Sequence, residues 1–152
     1  MAGGAGALME AVENAEDDPD AAVAAMEEKV INAADVVLAI SASGRTAFTR
    51  AAALCAGRMG ALTIGIFNNA DSPLAKDVDV PIALLTGAEA VAGSTRLKAG
   101  TAQKICLNMI STLVMTRLGF VRDGQMIAME PTNAKLRDRF ERIHAGETDR
   151  DA

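Results

Sequence analysis

The chain contains no tryptophan and no tyrosine, and its aromatic content of 3% is confined to four phenylalanines. A surface that stacks nucleotide bases needs several aromatic faces, so single-stranded nucleic acid is a poor partner. Long basic runs are absent as well. With a net charge of −5 at pH 7, neither nucleic acid nor an anionic membrane is the expected partner. One histidine and two scattered cysteines are too few to build a metal centre. Cys55 and Cys106 fall in apolar helical patterns, so two buried free thiols in a reducing compartment are expected. His144 stands in a charged C-terminal segment and reads as a solvated side chain.

Bilayer-length apolar stretches are missing too. The most apolar long segment, residues 105–118, is interrupted by Asn108, Ser111, Thr112, Thr116 and Arg117. It is also shorter than the ~20 residues of a membrane-spanning helix. No basic start leads into an apolar core at the N-terminus, as in a secretory signal. A soluble, cytoplasmic protein is the expectation. What the chain does have is apolar bulk: 50% of its 152 residues are hydrophobic, enough for one domain with a real core. That domain is expected over residues 1–145, with a disordered tail at 146–152.

Strand and helix signals alternate. Residues 5–13 fit a short helix, followed by the acidic EDDPD. Asp18 is placed to cap a second helix, with Pro19 at its first position and an end near Asn32. DVVLAIS, residues 35–41, is a continuous apolar run with the pattern of a strand buried on both faces. GRTAFTRAAALCAGRMG supplies a helix ending near Gly60, and ALTIGIF the next buried strand. NNADSPLAKD carries turn signals with one helical turn. DVPIALL is a third strand, accommodating Pro81 at a sheet edge or near its start. A long helix over about 98–118 and a charged one over about 132–143 follow. This is the rhythm of an α/β protein with a parallel sheet. Right-handed crossovers then gather the strand C-terminal ends on one rim, where ligands of such sheets bind.

The rim loop after the first strand reads SASGRT. Ser41, Ser43 and Thr46 offer hydroxyls, Gly44 lets the backbone approach an anion, and Arg45 lies in the same cluster. The N–H groups that open the next helix point the same way, which makes a phosphate cradle. An ordinary capped turn uses the same residue types. The Walker spacing is absent, so a nucleoside triphosphate is not implied. The second rim loop, GAEAVAGSTRLKAGTAQK, brings Glu89, Ser94, Thr95, Arg96 and Lys98 to the start of the long helix among very small neighbours. Arg96 and Lys98 suit a phosphate or a carboxylate. A solvated helix start is the plain alternative. Cations there oppose the helix dipole by ~0.3–1 kcal/mol each, so a compensating anion is expected.

These two loops, with AGGAGALMEAVENAEDD near the start and MEPTNAKL near the end, resemble the N-acetylmuramic acid 6-phosphate etherases. That family belongs to the sugar isomerase (SIS) group, and the glucokinase regulatory protein shares the second motif. The resemblance covers nearly the whole chain. It implies a partial, flavodoxin-like three-layer α/β/α fold, a phosphorylated amino sugar as ligand, and no metal or organic cofactor. The implied reaction is cleavage of the D-lactyl ether of N-acetylmuramate 6-phosphate, giving N-acetylglucosamine 6-phosphate and D-lactate in cell-wall recycling. Glu16 falls on the position of a catalytic glutamate that activates water, although by composition alone it belongs to an acidic surface run.

The resemblance also implies that a first segment of the family is missing, with its own Gly/Ser phosphate loop and the glutamate acting as general acid. A truncated product, a fragment or half of a split protein would each fit. Residues 35–41 would then form an exposed apolar edge, and poor solubility or self-association is expected. A homodimer, a higher oligomer or a complementary N-terminal half is the expected protein partner. A non-catalytic phosphosugar-binding or regulatory module needs only the two loops. A phosphosugar isomerase using Glu89 as base, or an inactive remnant, are further alternatives.

Overall fold

In this computed structural model, which describes residues 1–146, the chain divides into two compact units, Met1–Lys104 and Ile105–Ala152. The expected disordered tail lies, beyond Gly146, outside the described residues. In the first unit, Asp18 caps helix α1 (Pro19–Glu28) by accepting from the Ala21 N–H at 2.9 Å, with Pro19 leading the helix. Strand β1 (Val36–Ile40), helix α2 (Ala47–Arg58), strand β2 (Leu62–Phe67), a 3₁₀ turn (Pro73–Lys76) and strand β3 (Val80–Ala83) follow. The strands form one parallel sheet in the order β1-β2-β3, with Leu38 opposite Ile64 and Ile66 opposite Ile82. This is the α/β class read from the sequence.

Alternation of side chains assigns the two faces of the sheet. Ala39, Phe67 and the buried Thr63 share one face. There Ala39 and Phe67 join Ala53 of α2 and Leu74 in the core, flanked by Ala75 and Val78. Helix α1 packs on α2. Val36, Leu38, Leu62 and Val80 occupy the other face and remain 52%, 36%, 45% and 41% exposed.

Helix α3 (Lys98–Arg117) runs through the boundary between the units. The second unit holds a hairpin of β4 (Val121–Arg122) and β5 (Gln125–Met126), then helix α4 (Ala134–His144). Asp123 and Gly124 turn the hairpin with φ of 52° and 77°, the paired positive values of a type I′ turn. Asn133 caps α4 by accepting from the Leu136 N–H at 3.0 Å. His144 is exposed and rests on the Phe140 ring, at 3.9 Å between centroids. Among the described residues, no helix is long and apolar enough to cross a membrane.

Several expectations need correcting. Residues 5–13 form only a 3₁₀ turn at Ala5–Leu8, because Gly4 enters it at φ 65° with no side-chain cap. Helix α1 stops at Glu28, and Val30 at φ 53° turns the chain before Asn32. β1 is not buried on both faces: it is an edge strand, and Val36 and Leu38 are exposed. Cys55 is buried, but Cys106 is only half-buried. The β4–β5 hairpin went unforeseen, although Asp-Gly is a strong turn signal.

The start of β3 is latched to β2. The Asp79 carboxylate accepts from Thr63 N at 2.9 Å and Thr63 Oγ1 at 2.8 Å, while the Asp79 N–H donates to Thr63 Oγ1 at 3.0 Å. The bonds from the Thr63 amide and hydroxyl hold the Asp79 pKa below the ordinary aspartate value. Its stabilisation is therefore present above the unfolded-state pKa and is lost as pH falls through the lower folded value. Asp79→Asn should lower stability at neutral pH and flatten its fall below about pH 4. Melting curves from pH 7 to pH 3 check this; parallel acid profiles for the two proteins would contradict it.

Candidate functional site

The loop between β1 and α2 is closed by its own side chains. Ser41, 8% exposed, donates its amide to the Ile66 carbonyl and stays in register with β2. Its hydroxyl accepts from the Gly44 N–H at 3.1 Å and meets Thr46 Oγ1 at 2.9 Å and Ser43 Oγ at 3.4 Å. Ser43 Oγ accepts from the Arg45 N–H at 3.1 Å. Ser41, Ser43, Gly44, Arg45 and Thr46 therefore gather as the sequence suggested, with the Arg45 side chain exposed. Thr46 precedes α2 without a side-chain cap bond, so its hydroxyl serves the loop rather than the helix.

Gly44 is required here. Its φ is +64°, and a Cβ added to it would collide with Ser72 Oγ. Ser72 is buried, and its hydroxyl has no hydrogen-bond partner among the described residues. A cleft of about 470 Å³ beside it is lined by Arg50, Asp71, Ser72, Lys76 and Asp77. Arg50 is held there by a two-pronged ion pair with Asp77, at 2.6 and 3.4 Å. The Asp77 carboxylate raises the Arg50 pKa above its already high ordinary value. Ser41, Ser43 and Thr46 do not line this cleft.

The second loop is organised by Glu89. Its two carboxylate oxygens accept from the N–H groups of Lys98 and Ala99, each at 2.9 Å, and so cap α3. These bonds, Ala99 first, hold the Glu89 pKa below the usual carboxylate range. The anion expected to offset a basic helix start is thus already in the chain. This corrects the argument that Arg96 and Lys98 demand a bound ligand, and it gives Glu89 a structural position. Ser94 and Thr95 form the preceding turn: the Ser94 carbonyl accepts from Leu97 N and the Thr95 carbonyl from Gly100 N. The Arg96 and Lys98 side chains are exposed.

Asn68, at the exit of β2, ties the two loops together and was not singled out from the sequence. Its N–H donates to the Ala42 carbonyl at 3.0 Å, and its Nδ2 donates to the Leu84 carbonyl at 2.9 Å. Its Oδ1 accepts from Gln103 Nε2 of α3 at 2.9 Å. Asn69 Nδ2 adds a bond to the Ala42 carbonyl at 3.3 Å. Asparagine after a buried strand was the available signal, but it reads as turn chemistry. Glu16 stands apart, exposed in a 3₁₀ turn (Ala15–Asp17) that packs against α2. Among the described residues its side chain makes no hydrogen bond to either loop.

The rim therefore presents hydroxyls and small residues at one strand exit, and exposed cations at the start of α3. This suits a compact oxyanion better than an apolar ligand. The Gly44→Ala variant should lose about 2–4 kcal/mol, from left-handed strain plus overpacking against Ser72. Adding Ser72→Ala should recover part of the loss, since it removes the colliding hydroxyl but not the strain. Urea denaturation of the two single variants and the double variant checks this; an undiminished midpoint for Gly44→Ala would contradict it.

Comparisons with known proteins identify the family of the chain. The SIS domain model matches residues 7–113. The chain is 47% identical over 154 residues to the N-acetylmuramic acid 6-phosphate etherase of Deinococcus radiodurans, covering 100% of this chain and 50% of that protein. The enzyme of the same name from Edwardsiella ictaluri is 45% identical over 152 residues, 99% of this chain and 51% of its own. That of Lactobacillus acidophilus is 46% identical over 149 residues, 98% and 50% respectively. The chain spans about half the length of the curated relatives it matches. With that domain model matched over most of its length, the chain belongs to the SIS domain family.

Proposed function

We propose that this chain is the C-terminal, phosphosugar-binding portion of an N-acetylmuramic acid 6-phosphate etherase, a carbon–oxygen lyase. The observation that carries the reading is 47% identity over the full chain to a protein of that name. The hydroxyl-lined loop of Ser41, Ser43 and Thr46, with Gly44 and Arg45, supports it as the place for the phosphate. Thr95, Arg96 and Lys98, after Ser94, supply donors and charge from the second loop. Glu89 contributes by holding the start of α3 rather than by touching the sugar. No metal or organic cofactor enters the reading.

The chemistry follows from the substrate. In the opened sugar, the proton beside the aldehyde is acidic enough for a carboxylate base to remove it. The electron pair then expels D-lactate by breaking the ether C–O bond. Water adds to the resulting double bond and leaves N-acetylglucosamine 6-phosphate. Glu16 is the residue assigned to activating that water. The general acid belongs to the part of the relatives that this chain does not match. A cytoplasmic location, a role in cell-wall recycling, and pairing as a homodimer, higher oligomer or with a complementary half belong to the same reading.

A second reading, a binding module without turnover, is favoured by one observation: Glu16 is exposed and, among the described residues, makes no side-chain hydrogen bond to either loop. Calorimetry with N-acetylglucosamine 6-phosphate should give saturable heat. Arg96→Ala should weaken binding by about 10–100-fold and Ser43→Ala by about 5-fold or more, the ordinary range for charged and neutral hydrogen bonds. Release of D-lactate from N-acetylmuramate 6-phosphate supports the lyase, and binding without lactate supports the module. Absence of heat, or affinity unchanged in both variants, would reject the site.

A further inference from the structure

The loop after β1 shapes itself through Ser41, but it is placed from outside, by the connection between β2 and β3. The Ala42 carbonyl accepts from Asn68 N and Asn69 Nδ2. The Gly44 carbonyl accepts from Leu74 N at 3.1 Å, and the Gly44 Cα packs against the Ser72 hydroxyl. Ala42 is thus anchored at the end of a strand, whereas Gly44 depends on the Pro73–Lys76 turn. A single 3₁₀ turn has little stability of its own, and Ser72 gives this one no side-chain cap.

Two things hold the turn. Leu74 is fully buried in the core with Ala39, Ala53 and Phe67. Asp77, just past its C-terminal end, takes the guanidinium of Arg50 in the two-pronged ion pair, across 27 residues of sequence. The Asp77 amide donates to the Leu74 carbonyl at 3.1 Å, and the Arg50 amide donates to the Thr46 carbonyl at 3.1 Å, in the first turn of α2. These bonds close a ring: Gly44 to Leu74, Leu74 to Asp77, Asp77 to Arg50, Arg50 to Thr46, and through Arg45 back to Gly44. Every link but the ion pair is backbone to backbone, so the ion pair is where the ring depends on residue type. A planar guanidinium fixes both distance and direction to a carboxylate, which a lysine ammonium does not. The side chains of Arg50 and Asp77 are 38% and 11% exposed, so the pair is partly withdrawn from screening by salt.

We propose that Arg50 and Asp77 are positioning residues for the hydroxyl loop: without touching the ligand, their ion pair holds Gly44 and Thr46 at the spacing that an oxyanion meets. The inference rests on the reading of this loop as the phosphate cradle, and it adds two residues from outside the loop.

The test is calorimetry with N-acetylglucosamine 6-phosphate on Arg50→Gln, Asp77→Asn and the double variant. Each single variant should bind about three- to tenfold more weakly, and the double variant no more weakly than the poorer single one, as for residues acting through one bond. Amide exchange separates positioning from a general loss of stability. The Leu74 amide should exchange at least about tenfold faster in the variants, while that of Ile66 in the sheet is unchanged. Should Arg50→Gln fail to fold because Asp77 is left unpaired, Asp77→Asn leaves only the more exposed Arg50 without its partner and carries both measurements. If the wild-type protein takes up no sugar phosphate, the phosphosugar reading fails, and the ring is judged on the Leu74 amide alone. Unchanged affinity in the single variants of a protein that binds, losses that multiply in the double variant, or no quickening of Leu74 beyond that of Ile66 would each overturn the inference.

Discussion

Asn68 makes bonds in three directions from one position at the end of β2: backward to Ala42 in the loop after β1, sideways to Leu84 at the exit of β3, and outward to Gln103 on α3. Parallel strands deliver their C-terminal ends to one rim, but they do not fix the loops beyond those ends. A primary amide is suited to that task, because it donates and accepts at once. Asn68 thereby links the loop after β1 to α3 through one side chain and its own amide. With it, the spacing between the proposed phosphate cradle and the basic turn is set by short hydrogen bonds rather than by loop entropy.

The electrostatics follow the same pattern of internal satisfaction. Glu89 neutralises the exposed N–H groups of α3 and offsets the neighbouring cations, so the basic turn is tolerated without a ligand. Arg50 is committed to Asp77. Arg96 and Lys98 are exposed, and the hydroxyls of the loop after β1 are arranged by Ser41. On the proposed reading, a site built this way is formed before a ligand arrives, which lowers the ordering cost of binding.

Much of this was legible in the residues. Apolar runs bounded by turn signals located β1, β2 and β3, and Asp18-Pro19 located α1, because these signals act through local backbone chemistry. SASGRT and the Glu89–Lys98 region were legible for the same reason. The misses have a common physical origin. The continuous apolar run of β1 says that the strand expects burial on both faces, but not whether this chain supplies the cover. Gly4 and Val30 altered helix ends through positive φ, which pattern alone does not reveal. Asn68 and Gln103 lie 35 residues apart in sequence, and a side-chain bond over that separation leaves no periodic trace. Arg96 and Lys98 pointed to an anion, and only coordinates identified Glu89 as one.

The most direct measurement of this account replaces Asn68 by alanine, which keeps the backbone bond to Ala42 and removes both side-chain bonds. The account predicts that the folded core is retained, that amide exchange near Leu84 and Gln103 quickens, and that N-acetylglucosamine 6-phosphate binds about tenfold or more weakly although Asn68 itself is not assigned to the ligand. A variant with unchanged exchange at both places and wild-type affinity would show that the rim does not depend on this amide, and would contradict the account.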